Sequence, residues 1–240
     1  MINWEEYKKR LIDLLREKSF RYSDNPPFTL ISGRQSFYYF NCKPTTLNPE
    51  GKELVGKMVF QLVRGQGFEA IGGLELGATP ISGATSLISQ LEGEPIGEFI
   101  IRKEKKDHGD ISKIEGDFKP GQKAVVVDDV ITTGGSTITA IEAAIAAGLI
   151  VTMVVVIVDR QEGGRENILK QFPGIEVQAM VLRDEVLTDE QRQKSLKPTT
   201  ASQMPAAQKG GGENFNRTKM EEFLDRRERI EDGFLKGIGP

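Results

Sequence analysis

Asp128 and Asp129 stand together in VVVDDVITTGGS, Val125 to Ser136, after a β-branched run and before Thr132, Thr133, Gly134, Gly135 and Ser136. A buried strand that ends on paired carboxylates and runs into a glycine turn is an unusual construction for stability alone. Successive amides from Thr132 to Ser136, at the start of a helix, form a concavity of unpaired N–H groups at the positive end of the helix dipole. That geometry suits a phosphate. The glycines let the backbone come close, and the hydroxyls of Thr132, Thr133 and Ser136 add donors. No GxxxxGKS or GxxxxGKT run is present, which excludes a nucleoside-triphosphate P-loop. Asp128 and Asp129 would repel a polyphosphate but suit a vicinal diol, accepting hydrogen bonds from two hydroxyls. A phosphate and a diol side by side describe a ribose 5-phosphate. Either feature alone reads as a solvated strand end or an ordinary turn; their combination on an apolar strand favours the phosphate-and-diol reading.

A second constellation is IIRKEKKDHGD, Ile100 to Asp110, where Arg102, Lys103, Lys105, Lys106 and His108 crowd together directly after an apolar strand. Gly109, Gly116 and the polar residues between them predict a mobile loop. Such a loop can clamp a diphosphate and neutralise the charge that grows on it as it leaves. Alone it reads equally as a solvated basic loop; beside a ribose-phosphate cradle the functional reading prevails. IGGLELGATP, Ile71 to Pro80, is a strand entering a glycine-bearing loop, either a further source of amides for a diphosphate or simple turn chemistry. Arg160 ends the longest apolar strand. It can pair bidentately with a carboxylate or imide of a substrate, or serve as a structural ion pair.

The elements that must position these residues alternate. An amphipathic helix carries Trp4, Tyr7, Leu11, Leu14 and Leu15, and PPFTLISGRQSFYYFNC predicts two short strands around a Ser-Gly-Arg turn. Asn48-Pro49-Glu50 opens a second helix with Val55, Met58, Val59, Leu62 and Val63 on its buried face. From FEAIGG to IEVQAMVL, strands and helices take turns and the strands are nearly all apolar. The fold class is therefore α/β, a parallel sheet flanked by helices, with ligands expected at the carboxyl ends of its strands.

The chain has 240 residues with 38% hydrophobic content, enough for one substantial core. Its formal net charge of −3 creates no global basic field, so no nucleic-acid partner is expected. The single cysteine, Cys42, excludes an intramolecular disulfide and a cysteine-rich zinc site. No apolar run is long enough to span a bilayer, and the charged N-terminal helix is no signal peptide. A cytoplasmic protein with no membrane partner is expected. The composition predicts a catalytic domain over 1–187 (a hood over about 1–45 and a core over about 46–187), a flexible linker over 188–216, and a charged helix or tail over 217–240. That tail reads equally as an appendage, a docking helix or a cap on a dimer.

Together, VVVDDVITTGGS resembles the phosphoribosyl-pyrophosphate signature of type I phosphoribosyltransferases. RKEKKDHG with IEG, VDRQEGG, and FTLISGRQSFYYFN near the N-terminus resemble the orotate phosphoribosyltransferase branch, in order from about Tyr7 to Leu187. The resemblance implies the type I phosphoribosyltransferase fold with a small N-terminal hood. It also implies a Mg2+-dependent transfer from phosphoribosyl pyrophosphate to orotate, giving orotidine 5'-monophosphate in UMP biosynthesis. Carried over by motif position, Asp128 and Asp129 meet the ribose hydroxyls, and Val130 and Ile131 to Ser136 wrap the 5'-phosphate. Arg102, Lys103, Lys106 and His108 contact the pyrophosphate; Thr132 and Arg160 touch orotate. Lys103, Lys106, Asp128 and Asp129 are the expected catalytic residues. The protein itself supplies no metal cage, Mg2+ arriving mainly through the substrate. A homodimer with shared active sites is implied, because the family's loop reaches a neighbouring subunit. The chain departs from some members by having Ile31 in the hood and Leu74-Glu75-Leu76-Gly77 in the pyrophosphate loop, where those members carry lysines. A regulatory descendant would be expected to have a basic surface and a degraded loop, which this chain lacks. A purine-using sister enzyme fits VDRQEGG and SGRQS less well.

Overall fold

The computed structural model describes residues 2–23, 28–29, 35–103 and 113–195. Helix α1 (Trp4–Leu14) is capped by Asn3 and buries Leu11 and Leu14; a π-helical turn, Leu15–Ser19, extends it. Four short strands follow: β1 (Phe20–Tyr22), β2 (Phe28–Thr29), β3 (Gln35–Ser36) and β4 (Tyr38–Phe40). β2 pairs antiparallel with β3, the two strands expected there, while Ser32, Gly33 and Arg34 between them lie outside the described residues. The sequence did not announce the antiparallel pairing of β1 with β4. Helix α2 (Lys43–Thr46) leads into α3 (Pro49–Val63), where the Asn48 side chain accepts from the Glu50 and Gly51 amides at 3.1 and 3.2 Å. The buried face of α3 contains Val55, Met58, Val59 and Val63 as expected, joined by Leu54 and Phe60. Leu62 is half-buried at its margin.

The rest of the chain winds through β5 (Ala70–Leu74), α4 (Thr79–Leu91), β6 (Gly97–Ile101), β7 (Ile114–Gly116), β8 (Lys123–Ile131) and α5 (Gly135–Ala146). It continues with β9 (Ile150–Asp159), α6 (Gly164–Gln171), β10 (Glu176–Leu182), α7 (Arg183–Val186) and α8 (Asp189–Ser195). The central sheet has the order β10-β9-β8-β5-β6-β7 and is parallel except for β7. Every residue of β5 is buried, as are Val125, Val126 and Val127 of β8 and nearly all of β9. Only a sheet covered on both faces gives such strands. The strand order reverses at β5: β6 lies on one side of it, and β8, β9 and β10 lie on the other. At such a reversal the loops leave in opposite directions and open a crevice at the carboxyl ends of the strands.

Two expectations are corrected. The stretch before Gly116 is not all loop: Ile114–Gly116 form the antiparallel edge strand β7, with Ile114 opposite Ile101. Three residues are too few to show a period of two. The expected linker from 188 does not begin as coil, because Asp189–Ser195 form α8. Thr188 and Gln191 cap it reciprocally, Thr188 Oγ1 accepting from the Gln191 amide at 3.3 Å and Gln191 Oε1 from the Thr188 amide at 3.0 Å. This Thr-x-x-Gln capping box was legible, but the polar composition around it masked it. Among the described residues, no helix is long and apolar enough to cross a membrane.

Candidate active site

β8 remains apolar through Val127 and then delivers Asp128 and Asp129 at the crevice. Asp128 is 7% exposed. Its Oδ1 accepts from the Asp129 amide at 2.9 Å and its Oδ2 from the Thr137 hydroxyl at 2.8 Å, so α5 holds the carboxylate from behind. Burial, reinforced by the charge of Asp129, pushes Asp128 from the ordinary 3.8 up to about 7, against the pull of the Thr137 hydrogen bond. Asp129 is more open, and Lys43 Nζ lies 3.8 Å from its Oδ2. Gly77 lies beside the pair; a Cβ there would come within 2.7 Å of Asp129 Oδ1 and 3.1 Å of Asp128 Oδ1. A side chain at that position would occupy the ground the carboxylates use.

The turn after β8 is built around Gly134, which caps α5 with a φ of +84°. A Cβ at Gly134 would meet the Gly164 carbonyl oxygen at 2.8 Å, so the turn also rests on the start of α6. The Asn167 side-chain amide donates to the Thr133 carbonyl at 3.0 Å and braces it from the same side. The first-turn amides of α5 have no carbonyl of their own helix to meet. Thr133, Gly135 and Ser136 around them are exposed, so these amides are open to solvent on the side where the residue types suggested an anion. Ile131 is 1% exposed and sends its side chain into the core, so it can offer a ligand only its backbone.

A cavity of about 480 Å³ joins these parts, lined by Lys43, Leu74 to Gly77, Lys103, Asp128 to Val130 and Ser136. It therefore brings together Lys103, Asp128, Asp129, Val130 and Ser136 from the expected set, with Ile131 to Gly135 in the adjoining turn. Arg102 is at the neck of the β6–β7 hairpin. Its amide donates to the Lys113 carbonyl at 2.9 Å, and its guanidinium pairs with Glu115 at 3.1 Å. The Lys103 amide donates to Glu75 Oε1 at 3.2 Å, tying the hairpin to the loop after β5. Lys105, Lys106 and His108 lie outside the described residues.

Arg160 stands apart from that cavity. The turn that aims it is held by Asp159, whose Oδ1 accepts from the Gln161 amide at 2.7 Å, with Gln161 at a φ of +57°. The Arg160 guanidinium is ion-paired with Glu162 at 2.9 Å and lies 5.1 Å from the Tyr38 ring centroid. Tyr38 donates its hydroxyl to Glu162 at 2.9 Å and faces Arg183 on the same ring. The structural ion pair foreseen for Arg160 is thus present. Even so, its Nε makes no hydrogen bond among the described residues, although the residue is only 6% exposed. Sequence reasoning missed Lys43, Thr137, Tyr38 and Glu162. Thr137 had a local signal, its place in the first turn of the helix after the Gly134 turn, and Glu162 another, two residues from Arg160 on the same turn; Lys43 and Tyr38 meet the site only through tertiary packing.

A sheet parallel but for its edge strand, with an acid pair and a helix start at its point of strand reversal, is the architecture of a type I phosphoribosyltransferase, the fold of the solved structures the chain matches. No family model matches the chain. It is similar to the curated orotate phosphoribosyltransferase of Aquifex aeolicus, 42% identical over 180 residues that cover 75% of this chain and 97% of the relative. The crystal structure of the Mycobacterium tuberculosis orotate phosphoribosyltransferase in complex with 5-phospho-α-D-ribosyl 1-diphosphate matches with a TM-score of 0.62. That match has 30% identity and covers 75% of this chain and 98% of that one. Leishmania donovani UMP synthase matches with a TM-score of 0.63 and 28% identity, over 81% of this chain and 41% of that longer one. The chain belongs to the orotate phosphoribosyltransferase family, and its function is orotate phosphoribosyl transfer in pyrimidine biosynthesis.

Proposed function

We propose that the cavity between β5 and β8 binds phosphoribosyl pyrophosphate and passes its ribosyl carbon to orotate, releasing pyrophosphate and orotidine 5'-monophosphate. The observation that carries this reading is the position of Asp128 and Asp129, side by side in one cavity with Ser136 at the start of α5. The backbone from Val130 and Ile131 to Ser136 wraps the 5'-phosphate, with the hydroxyls of Thr132, Thr133 and Ser136 as further donors. Asp128 and Asp129 accept hydrogen bonds from the ribose hydroxyls. Their field also favours the positive charge that develops on C1 as its bond to the diphosphate lengthens. Arg102, Lys103, Lys106 and His108 attend the diphosphate. His108 is a contact there and not a general base, because orotate is already an anion at neutral pH. A closing loop of this kind keeps water from an oxocarbenium-like centre.

Thr132 and Arg160 recognise orotate. The buried Nε of Arg160, without a hydrogen-bond partner among the described residues, presents a donor to a planar carboxylate or imide. Mg2+ fits this site as a passenger of the substrate. Asp129, the more open of the pair, is the residue that would help hold the ion beside the substrate's phosphate oxygens. When bound, it neutralises charge on the diphosphate. In this reading residues 1–187 are the catalytic unit of a cytoplasmic homodimer. Beyond α8 the linker leads to the charged segment 217–240, which lies outside the described residues.

The test follows orotate absorbance with orotate, phosphoribosyl pyrophosphate and Mg2+ present. Consumption should require all three; binding of phosphoribosyl pyrophosphate without consumption of orotate would sink the base assignment. Arg160→Lys retains a charge facing Glu162 but loses the planar fork. It should raise KM for orotate roughly 10- to 100-fold while leaving the affinity for phosphoribosyl pyrophosphate unchanged. An unchanged KM for orotate would remove Arg160 from the base site.

A further inference from the structure

Lys43 has no part in the roles assigned above, yet it lines the cavity and reaches toward Asp129. Its root is firm. The Lys43 amide donates to Asn41 Oδ1 at 3.3 Å, and its neighbours Cys42, Thr45 and Thr46 are buried. The Thr45 and Ser19 hydroxyls lie 2.6 Å apart and pin α2 to the turn after α1. The Lys43 side chain, by contrast, is 44% exposed and free to swing on its four-carbon stem. A long ion pair at this exposure contributes little to stability. The value of this lysine therefore lies in where its charge can go.

The shape of the substrate divides the cavity, and this step rests on the reading given under Proposed function. With the 5'-phosphate at the start of α5 and the ribose hydroxyls on Asp128 and Asp129, C1 points away from α5. Its diphosphate then enters the remaining part of the cavity, lined by Lys43, Glu75, Leu76, Gly77 and Lys103. Among the described lining residues, the cations are Lys43 and Lys103, while Glu75 already accepts from the Lys103 amide. Leu76, 65% exposed, offers the diphosphate only its backbone.

We infer that Lys43 is a diphosphate-binding residue. In the free cavity its ammonium rests near Asp129 and tempers the repulsion within the acid pair. As substrate enters, it moves to the diphosphate and leaves Asp129 free to accept from the ribose. One cation thus serves first the acceptor and then the leaving group, a charge-assisted contact that strengthens as the C1–oxygen bond breaks.

Calorimetric titration of the full-length protein, its Lys43→Ala variant and its Lys43→Arg variant separates this role from a merely structural one. The probes are phosphoribosyl pyrophosphate with Mg2+, inorganic pyrophosphate with Mg2+, and ribose 5-phosphate. Lys43→Ala should weaken the two diphosphate ligands roughly 10- to 100-fold, as expected for one charge-assisted contact. Ribose 5-phosphate should stay within about twofold, and Lys43→Arg should recover most of the loss. An equal loss for ribose 5-phosphate would make Lys43 a positioning residue for Asp129 and overturn the inference, as would unchanged binding of all three. Failure of the unaltered protein to bind phosphoribosyl pyrophosphate would instead overturn the functional reading beneath it. Melting curves of both variants should match the parent, since the side chain is largely exposed and its ion pair is long.

Discussion

Replacing Asp128 with Asn should make the free protein more stable and nearly inactive. Asp128 is buried beside Asp129, and its proton is held up to about pH 7 in the folded state against 3.8 ordinarily. Between about pH 4 and 7 the folded chain therefore keeps a proton that the unfolded chain has lost, so stability falls as pH rises through that window and levels off above it. Asn carries no charge to bury; its one oxygen can accept from the Asp129 amide while its NH2 donates to the Thr137 hydroxyl oxygen. The variant's advantage should thus be small near pH 4 and grow to on the order of 2–4 kcal/mol above pH 7. Thermal melts of both proteins at pH 5 and pH 8 measure it; a difference that does not change with pH would mean Asp128 titrates as an ordinary carboxylate. The same substitution removes a charged acceptor for the ribose and part of the field that favours positive charge at C1. A fall in kcat/KM of roughly 100- to 1000-fold is expected for losing such an electrostatic group. On the proposed reading, burial of Asp128 works against the stability of the empty fold, and the substrate's hydroxyls would relieve that cost on binding.

Gly134→Ala should be the most damaging single-methyl change in the phosphate cradle. The residue sits at a φ of +84°, where an L side chain is strained, and its new Cβ would meet the Gly164 oxygen at 2.8 Å and Ile168 Cγ1 at 3.3 Å. Backbone strain of this kind costs on the order of 1–3 kcal/mol, and relieving it must turn the amides proposed to bind the phosphate. We expect kcat/KM for phosphoribosyl pyrophosphate to fall at least about 100-fold, most of it in KM, because misplaced cradle amides lose binding in ground state and transition state alike. Gly135→Ala is the control: no atom lies within 4 Å of its added Cβ and its φ is not positive, so its melting temperature should match the parent. Steady-state kinetics and melts of the two variants together decide the matter. Equal activity for Gly134→Ala and the parent would place the 5'-phosphate elsewhere.

Much of this molecule was legible because its signals are local. The apolar run from Val125 to Val127, the acid pair and the Thr-Thr-Gly-Gly-Ser turn lie on consecutive residues, and strand, turn and helix start follow from their own backbone preferences. The Asn48 cap and the alternation of later elements are local in the same sense. β7 escaped because three edge residues carry no period, and α8 because a capping box lay within a polar stretch.

What only the tertiary structure decided is which separate segments meet. The reversal of strand order at β5 places the loop after Leu74 beside Asp128 and Asp129, and no local propensity encodes that order. β4 brings the Tyr38 ring beside Arg160 and Arg183, and the short helix after it carries Lys43 to Asp129. The raised pKa of Asp128 likewise arises from burial and from a neighbour's charge, which depend on what packs over the strand end. Sequence determined the chemical groups and the local shapes that present them; long-range packing determined their company, because burial and contact belong to the assembled sheet and not to any segment of it.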